Sequence, residues 1–275
     1  MCRLYGFRAT EPTKVECTLV HAQNALIVQS REDQTGTSHA HGWGVATYCD
    51  GMPQVDRQAW AAYHGEHFRR TAARTFSRTV IAHVRRASVS SISLDNTHPF
   101  VHGKWVFAHN GTLRAFGAMR ERMLDAMTDE HRTAIRGATD SEHVFHFVMS
   151  LWAKRPRLTP FEALREGLER VIELSRKTDA AAAIGLNVLL TDGDELLGAR
   201  WGRTLWYVER HQVQDCEICG FPHIHHDPNA HYQAAVIASE PISGEPWVAV
   251  PEGTVFRITP GMSLDFEPLI RSARE

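Results

Sequence analysis

What most constrains the fold of this chain is the order in which its hydrophobic periods change. Before residue 111 the apolar segments are short, rich in aromatic and β-branched residues and bounded by turn residues, which predicts strands. They lie at Leu4–Ala9, Gly42–Tyr48, within Gln54–Tyr63 (one or two strands), Thr79–Arg86 and Lys104–His109. Thr79–Arg86 is so nearly continuous that it must be covered on both faces. Asn110-Gly111 then predicts a turn with positive φ. The period next becomes helical. Ala115–Met127 reads as a helix, and Thr139-Asp140-Ser141-Glu142 and Thr159-Pro160-Phe161-Glu162 are capping boxes that open two more. Phe68–Phe76 is a short amphipathic helix, Glu11–Arg31 fits strand or helix, and 31–41 and 87–99 read as polar loops. After Gly185 the pattern returns to strands, at Leu186–Thr191, Glu195–Arg200, Leu205–Glu209, Tyr232–Ser239, Thr254–Ile258 and Met262–Phe266. Strands, paired helices, then strands predict an α+β layered fold.

Composition narrows the class. With 275 residues, 43% of them hydrophobic, the chain has enough apolar surface for a sizeable core. No linker or repeat divides it, so 1–275 is read as one domain with a C-terminal elaboration at 211–231. Thirty basic against 32 acidic residues leave a formal charge of −2, which gives no draw to nucleic acid or to an anionic membrane. Five cysteines, an odd number, argue against a disulfide framework. The longest apolar run, Ala180–Leu190, is too short to span a bilayer and is interrupted by Asn187. No signal-peptide pattern opens the chain. The expectation is a cytoplasmic protein.

Four features could carry chemistry. Cys2 follows the initiator methionine. If Met1 is removed, thiol and free α-amine share one residue, and that amine titrates near ~8 against ~10.4 for lysine. A nucleophile whose base is its own amine is then available; the plainer reading is a small buried strand residue. Arg85-Arg86 end a buried strand and suit a bidentate carboxylate clamp, or only a solvated strand end. Asn110-Gly111 offer a side-chain amide and a backbone N–H as an oxyanion hole, or only a turn. Asp140 sits in the first turn of a helix, as counter-ion to a substrate ammonium or merely to the helix dipole.

Taken in order, Met1-Cys2-Arg3-Leu4, His41-Gly42-Trp43-Gly44, Ile81-Ala82-His83-Val84-Arg85, Asn96-Thr97-His98-Pro99-Phe100, Phe107-Ala108-His109-Asn110-Gly111 and Thr139-Asp140-Ser141-Glu142 resemble the motifs of the class II glutamine amidotransferases, the N-terminal-nucleophile type. The resemblance covers about residues 1–150, with Ala238-Ser239-Glu240-Pro241 extending it more weakly. It implies a four-layer αββα sandwich. It also implies roles. Cys2 attacks the side-chain amide of glutamine, giving a γ-glutamyl thioester and ammonia, and water then releases glutamate. Arg85, with Ser88, holds the substrate α-carboxylate, Asp140 its α-ammonium, and Asn110 and Gly111 the oxyanion. No cofactor enters the reaction. Arg86 departs from the family pattern, and the His-Val-Arg register favours Arg85. His83, His98 and His109 are expected as hydrogen-bonders around the site. Two acceptors stay open: an ammonia-accepting synthase partner, since the chain has no room for a second catalytic domain, or water, in a free-standing hydrolase of a larger γ-glutamyl amide. A non-catalytic interaction module is disfavoured by the intact motif set.

One segment stands outside this scheme. Cys216-Glu217-Ile218-Cys219-Gly220 resembles a zinc-knuckle turn, and His223 and His225 could complete a tetrahedral structural zinc site. His211 and His231 flank it. The competing reading is a surface loop with reduced thiols.

Overall fold

Side chains of the first strand alternate between two environments, and this alternation sets the layering. The computed structural model describes residues 2–87, 90–213, 215–224 and 231–271. In chain order the elements are β1 (Arg3–Lys14), a π-helical turn (Cys17–His21), α1 (Leu26–Arg31), β2 (Trp43–Cys49), β3 (Met52–Gln58), α2 (His67–Arg74), β4 (Phe76–Val84), β5 (Phe100–His102), β6 (Trp105–Leu113), α3 (Phe116–Asp125), α4 (Asp129–Ala134), α5 (Asp140–Lys154), α6 (Pro160–Thr178), β7 (Ile184–Thr191), β8 (Leu196–Arg200), β9 (Trp206–Arg210), β10 (Ala234–Ala238), β11 (Val248–Ala249), β12 (Thr254–Ile258) and β13 (Leu264–Pro268).

The strands form two antiparallel sheets. One has seven strands in the order β11-β9-β10-β1-β4-β2-β3, the other six in the order β13-β12-β8-β7-β6-β5. Tyr5, Phe7 and Ala9 of β1 pack with Leu19, Leu26 and Phe68, beneath the π-helical turn, α1 and α2. Leu4 instead joins Ile81, Val106, Ala108, Leu189, Ile237 and Phe256 in the layer between the sheets. Gly6 shares that face, where a Cβ would lie 2.9 Å from Leu189 Cδ1. Phe107, Val188 and Leu190 turn outward onto α3, α5 and α6. The result is helices, sheet, sheet, helices. Burying each large side chain in these three cores is worth roughly 1.5–3 kcal/mol.

Helix α6 starts at the complete capping box of Thr159 and Glu162, with Pro160 in its first turn. At α5 only half of the expected box forms. Thr139 Oγ1 accepts the Glu142 N–H at 3.1 Å, but the Glu142 carboxylate accepts the N–H groups of Arg136 and Gly137 instead. Twelve of the helix's fifteen residues are buried, as befits an element packed on both sides. Gln54–Tyr63 contributes one strand, already begun at Met52 and finished at Gln58. The elements α4, β5 and β11 are too short to give a readable period.

Asn110-Gly111 is not a turn. β6 continues through it to Leu113, paired along its length with β7, and Gly111 does not have positive φ. The glycine is needed for a different reason. A Cβ there would stand 2.0 Å from the Gly185 carbonyl oxygen. Gly111 and Gly185, diagonal neighbours across the ladder, let β6 and β7 approach closely, and sheet pairing outweighs the local preference of the dipeptide.

Candidate active site

Cys2 precedes β1, which lies in the middle of its sheet between β10 and β4. Arg3 pairs with Val84, so antiparallel register sets Cys2 opposite Arg85. The Cys2 sulfur accepts the Arg86 backbone N–H at 3.4 Å and lies 3.6 Å from the Arg86 carbonyl oxygen. Burial raises the thiol above its ordinary value, against the opposing pull of the Arg86 N–H and the Arg85 guanidinium. Burial thus favours the thiol over the thiolate.

The chain next to Cys2 is anchored by a charge cluster that the sequence did not reveal. Arg3 is buried and reaches Asp33 and Glu240, each at 2.5 Å, while His39 lies 2.9 Å from Asp33. Burial opposes charge on Asp33. Hydrogen bonds from Thr35, Thr37 and His39 and the Arg3 charge outweigh it and hold the carboxyl well below the usual range.

Arg85 is only 3% exposed and Asp140 only 5%. The Arg85 guanidinium donates to Ser90 Oγ at 2.7 Å and to the Ser91 carbonyl at 3.2 Å. Asp140 accepts the N–H groups of Leu113 at 2.8 Å and Ser141 at 2.9 Å. Among the described residues neither has an ion-pair partner of opposite charge within 4 Å, although each is near enough to feel the other and the Cys2 thiol. Two buried charges of opposite sign therefore lie within electrostatic reach of the sulfur. Ser88 lies outside the described residues.

Asn110 and Gly111 approach from the other sheet. Asn110 Nδ2 lies 3.2 Å from Ser239 Oγ, which also accepts the Leu4 N–H at 2.8 Å. The other amide atom, Oδ1, is buried without a partner among the described residues. A half-turn of the amide exchanges its two ends without changing its shape. Ser239 then donates to Oδ1, and the NH2 group is the one left to meet a ligand. The Leu186 N–H donates to the Trp201 carbonyl, away from β6. Leu186 and Gly111 are opposite one another, so theirs is a non-hydrogen-bonded pair and the Gly111 N–H points away from β7.

The buried histidines near the site are structural. His109 bridges Ser141 Oγ at 2.8 Å and the Gly185 carbonyl at 2.9 Å. His83 faces the His109 carbonyl and stacks on His98 at 4.1 Å. His98 departs from expectation, since neither of its ring nitrogens has a hydrogen-bond partner among the described residues. Burial pushes His83 and His98 well below the ordinary value, helped by the Arg85 charge at His83 and by His83 and His109 at His98. Burial and the Arg3 charge lower His39 to about 4, and burial with three neighbouring histidines lowers His146 to about 3. Acid should therefore destabilise the fold before the carboxylates titrate. Unfolded, each of these histidines binds its proton near about pH 6.5, whereas folded His39 resists to about 4 and His146 to about 3. Throughout that window the unfolded state binds more protons than the folded one. Stability falls as pH drops, by up to ~1.4 kcal/mol per unit for each histidine kept neutral. Urea midpoints measured from about pH 7.5 to about pH 5 check this; a flat profile would overturn it.

The profile of the family described as "Glutamine amidotransferases class-II" matches residues 1–269. The chain belongs to the class II glutamine amidotransferases. It is thus an enzyme of the glutaminase type of amidohydrolase. Relatives of this amidotransferase include a probable glutamine amidotransferase of Saccharomyces cerevisiae, 26% identical over 94% of this chain and 82% of the yeast protein. Another is a γ-glutamyl-hercynylcysteine sulfoxide hydrolase of Mycobacterium tuberculosis, 28% identical over 76% of this chain and 81% of that one. Among solved structures, a glutamine aminotransferase class-II domain protein from Silicibacter pomeroyi covers 98% of this chain and 100% of its own, with a TM-score of 0.66 and 22% identity. The glutamine phosphoribosylpyrophosphate amidotransferase of B. subtilis matches with a TM-score of 0.63 and 16% identity, over 98% of this chain and 50% of that one. These likenesses show the fold, the αββα sandwich of the N-terminal-nucleophile hydrolases.

A second cluster in the amidotransferase lies elsewhere. Cys216, Cys219 and His223 come together with Cys17 of the π-helical turn. His225 lies outside the described residues. Among the described residues no helix is long and apolar enough to cross a membrane.

Proposed function

We propose that this enzyme hydrolyses the γ-amide of glutamine or of a γ-glutamyl amide, with Cys2 as nucleophile. The observation that carries this reading is the pair of buried charges near the thiol, Arg85 and Asp140, neither of which has a partner of opposite charge among the described residues. A buried charge without a partner is costly, and the amino-acid end of glutamine supplies one partner for each. Arg85 takes the α-carboxylate and Asp140 the α-ammonium. This places the side-chain amide toward Cys2.

The steps follow from the groups present. With Met1 removed, the Cys2 α-amine takes the thiol proton as sulfur bonds to the amide carbon. Charge develops on the carbonyl oxygen, and the Asn110 NH2 and the Gly111 N–H stabilise it. The amine returns the proton to the departing nitrogen, and ammonia leaves a γ-glutamyl thioester. A water molecule, deprotonated by the same amine, then cleaves the thioester to glutamate. Every role is filled by a group of the chain, so the reaction calls on no added cofactor.

The nature of the γ-amine marks the second reading. The sequence likeness to the M. tuberculosis γ-glutamyl-hercynylcysteine sulfoxide hydrolase supports a larger leaving group. One assay separates the two: release of glutamate from glutamine and from γ-glutamyl amides of increasing size. Ammonia release from glutamine at kcat/KM above that for the larger amides supports a glutaminase that feeds a synthase partner. The reverse order supports a free-standing hydrolase, and no turnover of either class refutes the proposal.

The Cys/His cluster has no part in this chemistry. Its proposed role is structural, as a metal site that orders the loop at 211–231.

A further inference from the structure

We infer that Cys17, Cys216, Cys219 and His223 form one tetrahedral zinc site that cross-links the exit of β1 to the connection between β9 and β10. The inference rests on the structural-metal reading and replaces His225, in the ligand set expected from sequence, by a residue about 200 positions away. The four donor atoms lie within 4.8 Å of one another. Zinc–sulfur and zinc–nitrogen bonds of about 2.3 and 2.0 Å give tetrahedral edges of about 3.5–3.8 Å. Cys219 Sγ and His223 Nε2 are already 3.2 Å apart. Small side-chain rotations close the rest.

The backbone is arranged as a metal knuckle. Cys216 Sγ accepts the Ile218 N–H at 3.4 Å, and N–H bonds of this kind stabilise a thiolate. The Gly220 N–H donates to the Cys216 carbonyl at 2.8 Å, and the Cys216 N–H to the Phe221 carbonyl at 3.1 Å. Gly220 has φ +75°, with nothing near an added Cβ, so the turn folds back without strain. His223 is brought to Cys17 by the main chain, because the Lys14 N–H donates to the His223 carbonyl at 2.8 Å.

Val213 and Ile224 pack against the core at the ends of this segment, but the turn that carries the cysteines is left out of it, with Phe221 71% exposed and Ile218 38%. Yet three of the chain's five cysteines meet here from two distant segments, one of them, Cys17, buried in the π-helical turn. Three thiolates and an imidazole are a soft donor set, which selects zinc over magnesium or calcium.

The test uses full-length protein purified without a histidine tag. Metal analysis should find one zinc per chain. Cys17→Ser and Cys216→Ser should each lose it, while Cys49→Ser and Cys2→Ala keep it. Cobalt loaded into the metal-free wild type should show tetrahedral d–d bands and the thiolate charge-transfer intensity of three sulfurs, a reading that survives even if Cys17→Ser misfolds. Absence of zinc, with Cys216 and Cys219 joined as a disulfide or both freely titratable, refutes the structural-metal reading. Full zinc in Cys17→Ser, or a two-thiolate cobalt spectrum, refutes the assignment of Cys17 alone. Glutaminase activity is measured separately, so loss of zinc is not mistaken for loss of the Cys2 chemistry.

Discussion

Cys2→Ala is expected to bring amide hydrolysis down to background, a fall on the order of 10⁶-fold by analogy with removal of a nucleophile from other hydrolases, with the fold retained. The second half follows from the contacts of the sulfur. Its partners are two backbone groups of Arg86, and losing one such bond costs about 1 kcal/mol. The first half follows from the electrostatics. Burial keeps Cys2 a thiol, so reactivity depends on the adjacent amine taking its proton. Retention of Met1 turns that amine into an amide nitrogen with no basicity, and protein that keeps Met1 should be as inactive as the alanine variant. Ammonia and glutamate release, with intact mass to report the state of Met1, measure both. Substantial turnover in Cys2→Ala, or in fully Met1-retaining protein, would remove Cys2 from the mechanism.

Both expectations were legible in the residues because they depend on short motifs whose geometry is local. The same is true of the capping box at Thr159, which forms in full, and of the change from strand to helix and back. What was not legible depends on contacts between distant segments. Asn110-Gly111 carries the local signature of a turn, and only the pairing of β6 with β7, opposite Asn187 and Leu186, makes it strand. Arg3 looked like any residue beside the nucleophile. Its partners, Asp33 and Glu240, lie 30 and 237 positions away. Cys17 sat in a stretch that fitted strand or helix equally, and nothing in its neighbourhood pointed to Cys216. Ser239 belonged to a visible motif, but its bonds to both Leu4 and Asn110 are a property of the stacked sheets.

Ser239 leads to the second large effect. Asn110→Ala should lower kcat by about 10²–10³-fold and leave KM nearly unchanged, because an oxyanion donor acts on charge that exists only in the transition state. Stability should change little. One Asn110 amide atom already lacks a partner, so truncation removes an unsatisfied group along with a satisfied one. Asn110→Asp should be at least as damaging, since it sets a negative charge where another must develop. Ser239 acts one step back, as a positioning residue. Its hydroxyl fixes which end of the Asn110 amide faces the substrate and also ties down Leu4, two residues from the nucleophile. Ser239→Ala should therefore lower kcat by less than Asn110→Ala, again with KM preserved. In the double variant the two losses should fall short of multiplying, since without the Asn110 amide Ser239 has little left to orient. A purely structural Ser239 would instead lower the unfolding midpoint and leave the double-variant losses independent. A full-strength Asn110→Ala enzyme would show that the oxyanion is held by other groups.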